Sequence, residues 1–224
     1  MSRASTRHAI FFDLDGTLSD PFEGIASCYR HALTQLSRPV PAATELATFI
    51  GPPLRQGFAT LLATSDQVLV EQAVTLYRER YATHGAFENR LYDEVPEMLR
   101  ALNDGTRRLY VATAKARVFA ERIIEHFGLS AHFAHVYGPE LDGRFENKAD
   151  LLAHALEREG LDPASCVMIG DRAQDVRAAR QNGLVPVGVS YGYGSKEELL
   201  EAGAVVICSS PRELASWIRS EGPR

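Results

Sequence analysis

FFDLDGTLSD (residues 11–20) sets two aspartates, Asp13 and Asp15, one residue apart, with Gly16 and Thr17 directly behind them. The run AIFF (9–12) in front is apolar throughout, as expected of a strand covered on both faces. Carboxylates at the tip of such a strand need a reason. They start a turn, cap a helix, or meet a ligand.

The rest of the chain says which sheet this strand belongs to. From residue 95 onward strand-like runs alternate with amphipathic helices. The strands are expected at 108–113, 134–138, 166–170, 185–190 and 204–209. Between them, Phe119, Ile123 and Phe127 recur at helical spacing before Gly128, and Leu152 and Leu156 do so before Gly160, each glycine supplying a left-handed stop. Two later helices open with apparent capping boxes, Ser195 with Glu198 and Ser210 with Glu213. Apolar strands alternating with helices predict an α/β fold, a doubly wound parallel sheet. Residues 20–88 break the alternation and look helical, so they are expected to form a cap inserted after the first strand. Gly85 and the polar residues behind it read as the linker back, and the core comprises 1–19 and 89–224.

Composition excludes several classes of function. The chain has 224 residues, 45% of them hydrophobic and 24% charged, with a net charge of -5 and no basic stripe. No nucleic acid polymer or anionic membrane is an expected partner. No apolar run reaches the roughly 20 residues that span a bilayer, and MSRASTR lacks a signal-peptide core, which points to the cytoplasm. Cys28, Cys166 and Cys208 sit among apolar neighbours at unrelated spacing and read as reduced packing residues.

In a parallel sheet, ligands bind beyond the carboxyl ends of the strands where strand order reverses. After the first strand come Asp13 and Asp15. After LYVA come Thr113, Ala114 and Lys115, and after CVMIG come Asp171 and, one helical turn on, Asp175. Lys148 opens the helix that leads into CVMIG. Four carboxylates at one sheet edge repel one another, so a bound cation is expected, and hard oxygen ligands suit Mg²⁺.

DLDGT, the threonine ending YVAT, the lysine of NKAD, and GDRAQD together resemble the haloacid dehalogenase superfamily of phosphohydrolases. DGTLSDPFEGI, FIGPPLRQGF and SYGYGSKEEL look similar to members described as phosphoglycolate phosphatases or 5'-nucleotidases. The resemblance implies a Mg²⁺-dependent phosphatase for a small phosphorylated metabolite, first phosphoglycolate and alternatively a nucleoside 5'-monophosphate, working as monomer or homodimer. It implies Asp13 as nucleophile and Asp15 as acid and base. Thr17 would fix the turn or orient Asp15 and face the substrate. Thr113 and the Ala114 N–H would hold phosphoryl oxygens, with Lys148 as fixed charge. Asp13, the Asp15 carbonyl, Asp171 and Asp175 would hold the metal. In the cap, Arg55 is the candidate contact to the rest of the substrate. Lys115, Arg117, Arg172 and the Tyr191–Tyr193 loop read as surface. A receiver-type phosphoacceptor module needs neither a cap nor a proton donor, a dehalogenase has no use for the acidic cluster, and a phosphomutase shares every core residue.

Overall fold

The computed structural model describes residues 8–220. In chain order its elements are β1 (Ala9–Phe12), β2 (Ser19–Asp20), α1 (Phe22–Gln35), α2 (Ala43–Leu46), α3 (Leu54–Leu61), α4 (Gln67–Arg80), β3 (Arg90–Leu91), α5 (Val95–Leu102), β4 (Arg108–Ala112), α6 (Arg117–His126), β5 (His135–Tyr137), α7 (Lys148–Glu159), β6 (Cys166–Gly170), α8 (Ala173–Gln181), β7 (Val185–Val189), α9 (Lys196–Ala202), β8 (Val206–Cys208) and α10 (Pro211–Ser220).

Six strands form one sheet in the order β5-β4-β1-β6-β7-β8, and every pairing in it is parallel. β1 lies in the middle, and its four residues are fully buried. Side chains alternate across the sheet. Ala9, Phe11, Tyr110, Ala112 and Met168 share one face and pack on Leu151, Leu152 and Leu156 of α7 and Ala178 and Ala179 of α8, with Phe11 stacked on Tyr110 at 4.9 Å. Ile10, Phe12, Leu109, Val111, Val167 and Ile169 alternate with them and are equally buried. This two-sided burial accounts for the uninterrupted apolar runs. After β1 the chain returns on one flank to β4 and β5, then crosses to β6, β7 and β8. The order therefore reverses at β1, and the crevice beyond β4, β1 and β6 is where such a sheet binds its ligand.

The chain divides into two compact units: Asp20–Arg90, and the chain up to Ser19 together with the chain from Leu91 on. The two passages between them, β2 and β3, form a two-stranded sheet. The inserted unit extends two residues beyond the expected boundary, and Arg90 there is tied to Asp20 at 2.7 Å. Its helices close on an aromatic cluster in which Tyr29 meets Phe58 at 4.9 Å and Tyr77 at 5.1 Å. Gly85 is not a linker. It is buried at the end of the turn after α4, so close to α1 that a Cβ on Gly24 would lie 2.0 Å from the Gly85 carbonyl.

Three local expectations are corrected. Ser195 and Ser210 do accept the N–H groups of Glu198 and Glu213, at 3.1 and 3.2 Å, but neither glutamate completes a box. Glu198 accepts the Ala173 N–H at 2.8 Å and pairs with Arg172, while Glu213 turns to Ser209. In α6 the fully buried positions are Ala120, Ile123 and Ile124, with Phe119 and Phe127 half-buried, so the buried face is centred on the isoleucines rather than on the phenylalanines. The three cysteines are buried and free. No helix among the described residues is long and apolar enough to cross a membrane.

Candidate active site

The site is built at the carboxyl ends of β1, β4 and β6, within the unit that holds the large sheet. Asp13 follows β1 directly. Its main-chain N–H donates to the Ile169 carbonyl of β6 at 2.8 Å, continuing the ladder, and its Oδ1 accepts the Leu14 N–H at 2.8 Å. The chain then turns tightly: Leu18 and Ser19 both donate to the Leu14 carbonyl, at 2.9 and 3.0 Å, and Gly16 donates to the Ser19 carbonyl at 2.8 Å. Gly16 is required twice over. Its φ is +82°, and a Cβ there would lie 2.1 Å from Asp171 Oδ2. The turn is held by backbone bonds and not by Thr17, whose buried Oγ1 has no hydrogen-bond partner among the described residues. The expected role of Thr17 is corrected: its hydroxyl does not fix the turn or orient Asp15 by a hydrogen bond.

Asp171 and Asp175 come from β6 and the first turn of α8. One carboxylate oxygen from each of Asp13, Asp171 and Asp175 lies within 4.8 Å of the others, and all three residues are buried. Lys148, the first residue of α7, is positioned by the Asn147 cap, whose side chain accepts the Ala149 and Asp150 N–H groups. Its Nζ lies 3.0 Å from Asp13 Oδ2 and also pairs with Asp175 Oδ1. Asp175 Oδ2 in turn accepts the Arg172 N–H at 3.0 Å. Burial drives the Lys148 ammonium toward neutrality, but the charges of Asp13 and Asp175 outweigh it and raise its pKa.

The acids are under the opposite pressure. Burial pushes Asp175 up to about 6 against the pull of Lys148. Asp171 is raised well above the usual carboxylate range, by burial first and then by the charges of Asp175 and Asp13. Its Oδ2 accepts the Tyr193 N–H at 2.7 Å, whereas Oδ1 is buried with no hydrogen-bond partner among the described residues. An orphaned carboxylate oxygen beside two more carboxylates, served by one lysine, is a donor set of hard oxygens short of positive charge. These residues fit a divalent cation.

Asp15 is 9% exposed. Its Oδ2 lies 2.7 Å from Lys115 Nζ, and its Oδ1 is buried with no hydrogen-bond partner among the described residues. Burial raises its pKa, opposed by Lys115. Thr113, 1% exposed, directly follows β4, and its Oγ1 accepts the Lys115 N–H at 3.2 Å. Ala114 follows it, half-buried, at the same strand end. Arg55 belongs to the inserted unit. There it starts α3 and forks onto Glu71 of α4, with contacts of 2.5 and 3.3 Å.

Two features read as surface in the sequence belong to the site. The Lys115 side chain is only 8% exposed because it lies along Asp15. The 191–194 loop clasps the acids: Tyr191 donates its hydroxyl to the Thr17 carbonyl at 3.1 Å, and a Cβ on Gly192 would lie 2.2 Å from the Gly16 carbonyl. Burial raises the Tyr191 pKa, which keeps this donor protonated. The alternation of glycine with tyrosine directly after β7 was the available signal. Arg172 and Arg117 pair with Glu198 and with Glu140 and Glu121, respectively.

A family model described as haloacid dehalogenase-like hydrolase matches residues 10–189. A 5'-nucleotidase from Pseudomonas aeruginosa is 46% identical over 190 residues, which are 85% of this chain and 86% of that protein. The tyrosine-protein kinase PtkA from Mycobacterium tuberculosis is 38% identical, with 88% of this chain and 67% of that one matched. A phosphoglycolate phosphatase from Thiobacillus denitrificans is 30% identical, with 94% and 95% matched. The crystal structure of a predicted phosphatase from Clostridium acetobutylicum superposes with a TM-score of 0.92 at 38% identity, covering 96% of this chain and all of that one.

Proposed function

This chain belongs to the haloacid dehalogenase-like hydrolase family, and from that premise we propose that it is a Mg²⁺-dependent phosphomonoester hydrolase working through an aspartyl-phosphate on Asp13. The observation that carries the reading is the Lys148 ammonium set between Asp13 and Asp175, with Asp171 in the same few ångströms. A nucleophilic carboxylate must approach an anionic phosphoryl group, so the site has to supply positive charge on a rigid frame.

Asp13, Asp171 and the Asp15 main-chain carbonyl would hold Mg²⁺, which when bound neutralises phosphate charge and orients it. Asp175, with both oxygens already engaged by Lys148 and the Arg172 N–H, would act on the ion across a water or through Lys148. Thr113 Oγ1 and the Ala114 N–H receive phosphoryl oxygens. In the first half-reaction the Asp13 carboxylate forms a bond to phosphorus, the bond to the leaving oxygen breaks, and Asp15 gives that oxygen its proton. In the second, water forms a bond to phosphorus, the Asp13–phosphorus bond breaks, and the water proton passes to Asp15. Thr17 contributes packing and its carbonyl. The inserted unit is read as the substrate-selecting cap.

For the substrate, the relative named 5'-nucleotidase at 46% identity favours a nucleoside 5'-monophosphate over phosphoglycolate, whose named relative shares 30%. This reverses the order suggested by the motifs. Arg55 is proposed to contact the part of the substrate beyond the phosphate, released from Glu71 to do so. Arg55→Ala then raises KM for an anionic natural substrate and leaves KM for a small aryl phosphate unchanged. The reaction is tested with metal-free protein, returned Mg²⁺, and a panel of nucleoside 5'-monophosphates, phosphoglycolate and sugar phosphates. Phosphate release that appears only with Mg²⁺ is expected, and undiminished release in excess chelator overturns the mechanism.

A further inference from the structure

We propose that Lys115 is the positioning residue for Asp15: it holds one carboxylate oxygen so that the other faces the reacting oxygen. The inference rests on the two-step phosphoryl transfer proposed above and goes beyond it by assigning a residue that the motifs leave outside the machinery.

The geometry of Asp15 is asymmetric. Oδ2 is fixed by Lys115 Nζ at 2.7 Å, and Oδ1 is buried with no hydrogen-bond partner among the described residues. A carboxylate otherwise rotates freely about its last bond, because terminal sp³–sp² torsions are broad. A charge-assisted hydrogen bond to one oxygen selects the rotation and leaves the second oxygen in a defined direction. Proton transfer to a leaving oxygen, and later from water, depends on that direction.

Lys115 is well placed to act as such a reference. Its own N–H is pinned to Thr113 Oγ1 at 3.2 Å. Two residues on, the Arg117 N–H donates to the Pro139 carbonyl at 2.9 Å, and the Arg117 side chain is held by Glu140 and Glu121. The segment that carries the proposed phosphate-holding Thr113 thus also carries the group that aims the acid, so the two are set by one rigid piece of backbone. Lys148 is committed elsewhere, to Asp13 and Asp175. A purely structural role explains the pair poorly. With side chains 8% and 11% exposed, both charges are largely desolvated, and such a pair contributes little net stability compared with apolar residues of similar size.

The test is pre-steady-state kinetics of Lys115→Met and Lys115→Arg with p-nitrophenyl phosphate, whose leaving group needs no proton. In Lys115→Met the first turnover, read as nitrophenolate release, stays within about threefold of wild type. Steady turnover falls about tenfold or more, because water must still be deprotonated by a misaimed Asp15. With an alkyl phosphate the first turnover slows as well. Lys115→Arg, which retains a charged donor, recovers most of the steady rate. If first and steady turnover fall together, Lys115 supports the fold or phosphate binding, and the proposal is overturned. Unchanged turnover in both variants overturns it too. Failure of the wild type to hydrolyse either phosphate removes the phosphatase reading and this proposal with it, which sets that failure apart from a failure of the variants alone.

Discussion

Replacing Lys148 by methionine is the perturbation whose cost the site geometry defines best. The side chain is 4% exposed, and its Nζ lies 3.0 Å from Asp13 Oδ2, with Asp175 Oδ1 as its second partner. At an effective dielectric of about 20, a single attraction at that distance is worth about 5 kcal/mol. Desolvation of the ammonium offsets part of it. Methionine keeps most of the volume but leaves buried carboxylates with no cation, the situation in which breaking one side of a buried pair costs about 3–5 kcal/mol. We expect Lys148→Met in chelator to lose that amount in urea unfolding, followed through the fluorescence of Trp217, the sole tryptophan, which lies in α10 on the unit that holds the site. The loss should shrink as pH falls through about 6, where buried Asp175 takes up a proton, and shrink with Mg²⁺, which supplies the missing charge. Turnover should fall by three orders of magnitude or so. A variant within about 0.5 kcal/mol of wild type in chelator at pH 7 would refute the claim that Lys148 is the counter-charge of this cluster.

Two further substitutions probe the frame. Gly16→Ala combines left-handed strain with a Cβ only 2.1 Å from Asp171 Oδ2, whereas Gly105→Ala meets the same strain, φ +81°, with no atom within 4 Å. Gly105→Ala should cost only the strain, about 1–3 kcal/mol, and Gly16→Ala distinctly more, with a weaker Mg²⁺-induced rise in melting temperature; equal losses would show that Asp171 yields freely. At the end of α7, Glu159 accepts hydrogen bonds from the hydroxyls of Tyr137 and Tyr110 at 2.7 and 2.9 Å, and the Tyr137 bond is the first cause of its lowered pKa. A lowered carboxyl contributes stability above its ordinary range near 4.5 and loses it as pH falls through the lowered value. Glu159→Gln should therefore cost about 1–2 kcal/mol at pH 7, a deficit that shrinks as pH falls through the lowered value, and a deficit independent of pH would contradict this.

The frame of the site was legible because strand-tip chemistry is local. Asp13, Asp15, Thr113 and Asp171 each follow a buried apolar run, and β6 begins and ends as its sequence suggests. Lys115 was not legible. Its reach to Asp15 depends on the register of β4 beside β1, which pairs Phe12 with Val111, and a lysine two residues past a strand looks solvated until that register is known. The 191–194 loop was obscured for the same reason, since its bonds to Asp171 and Thr17 cross about 20 and 170 residues of chain. The capping boxes misled in the other direction. The local motif was present, but Glu198 instead caps the N-terminal end of α8 by accepting the Ala173 N–H.

The central claim is that Asp13 carries the phosphoryl group between the two half-reactions. The direct measurement is chemical trapping in Asp15→Asn, which can be phosphorylated by p-nitrophenyl phosphate but lacks the base that releases the product. After acid quench and borohydride reduction, an aspartyl-phosphate becomes homoserine, which peptide mass spectrometry locates. The account predicts homoserine at position 13, with one equivalent of nitrophenolate per protein, and neither in the Asp13→Asn, Asp15→Asn double variant. Modification at any other residue, or full steady turnover of Asp15→Asn with nothing trapped, would contradict it.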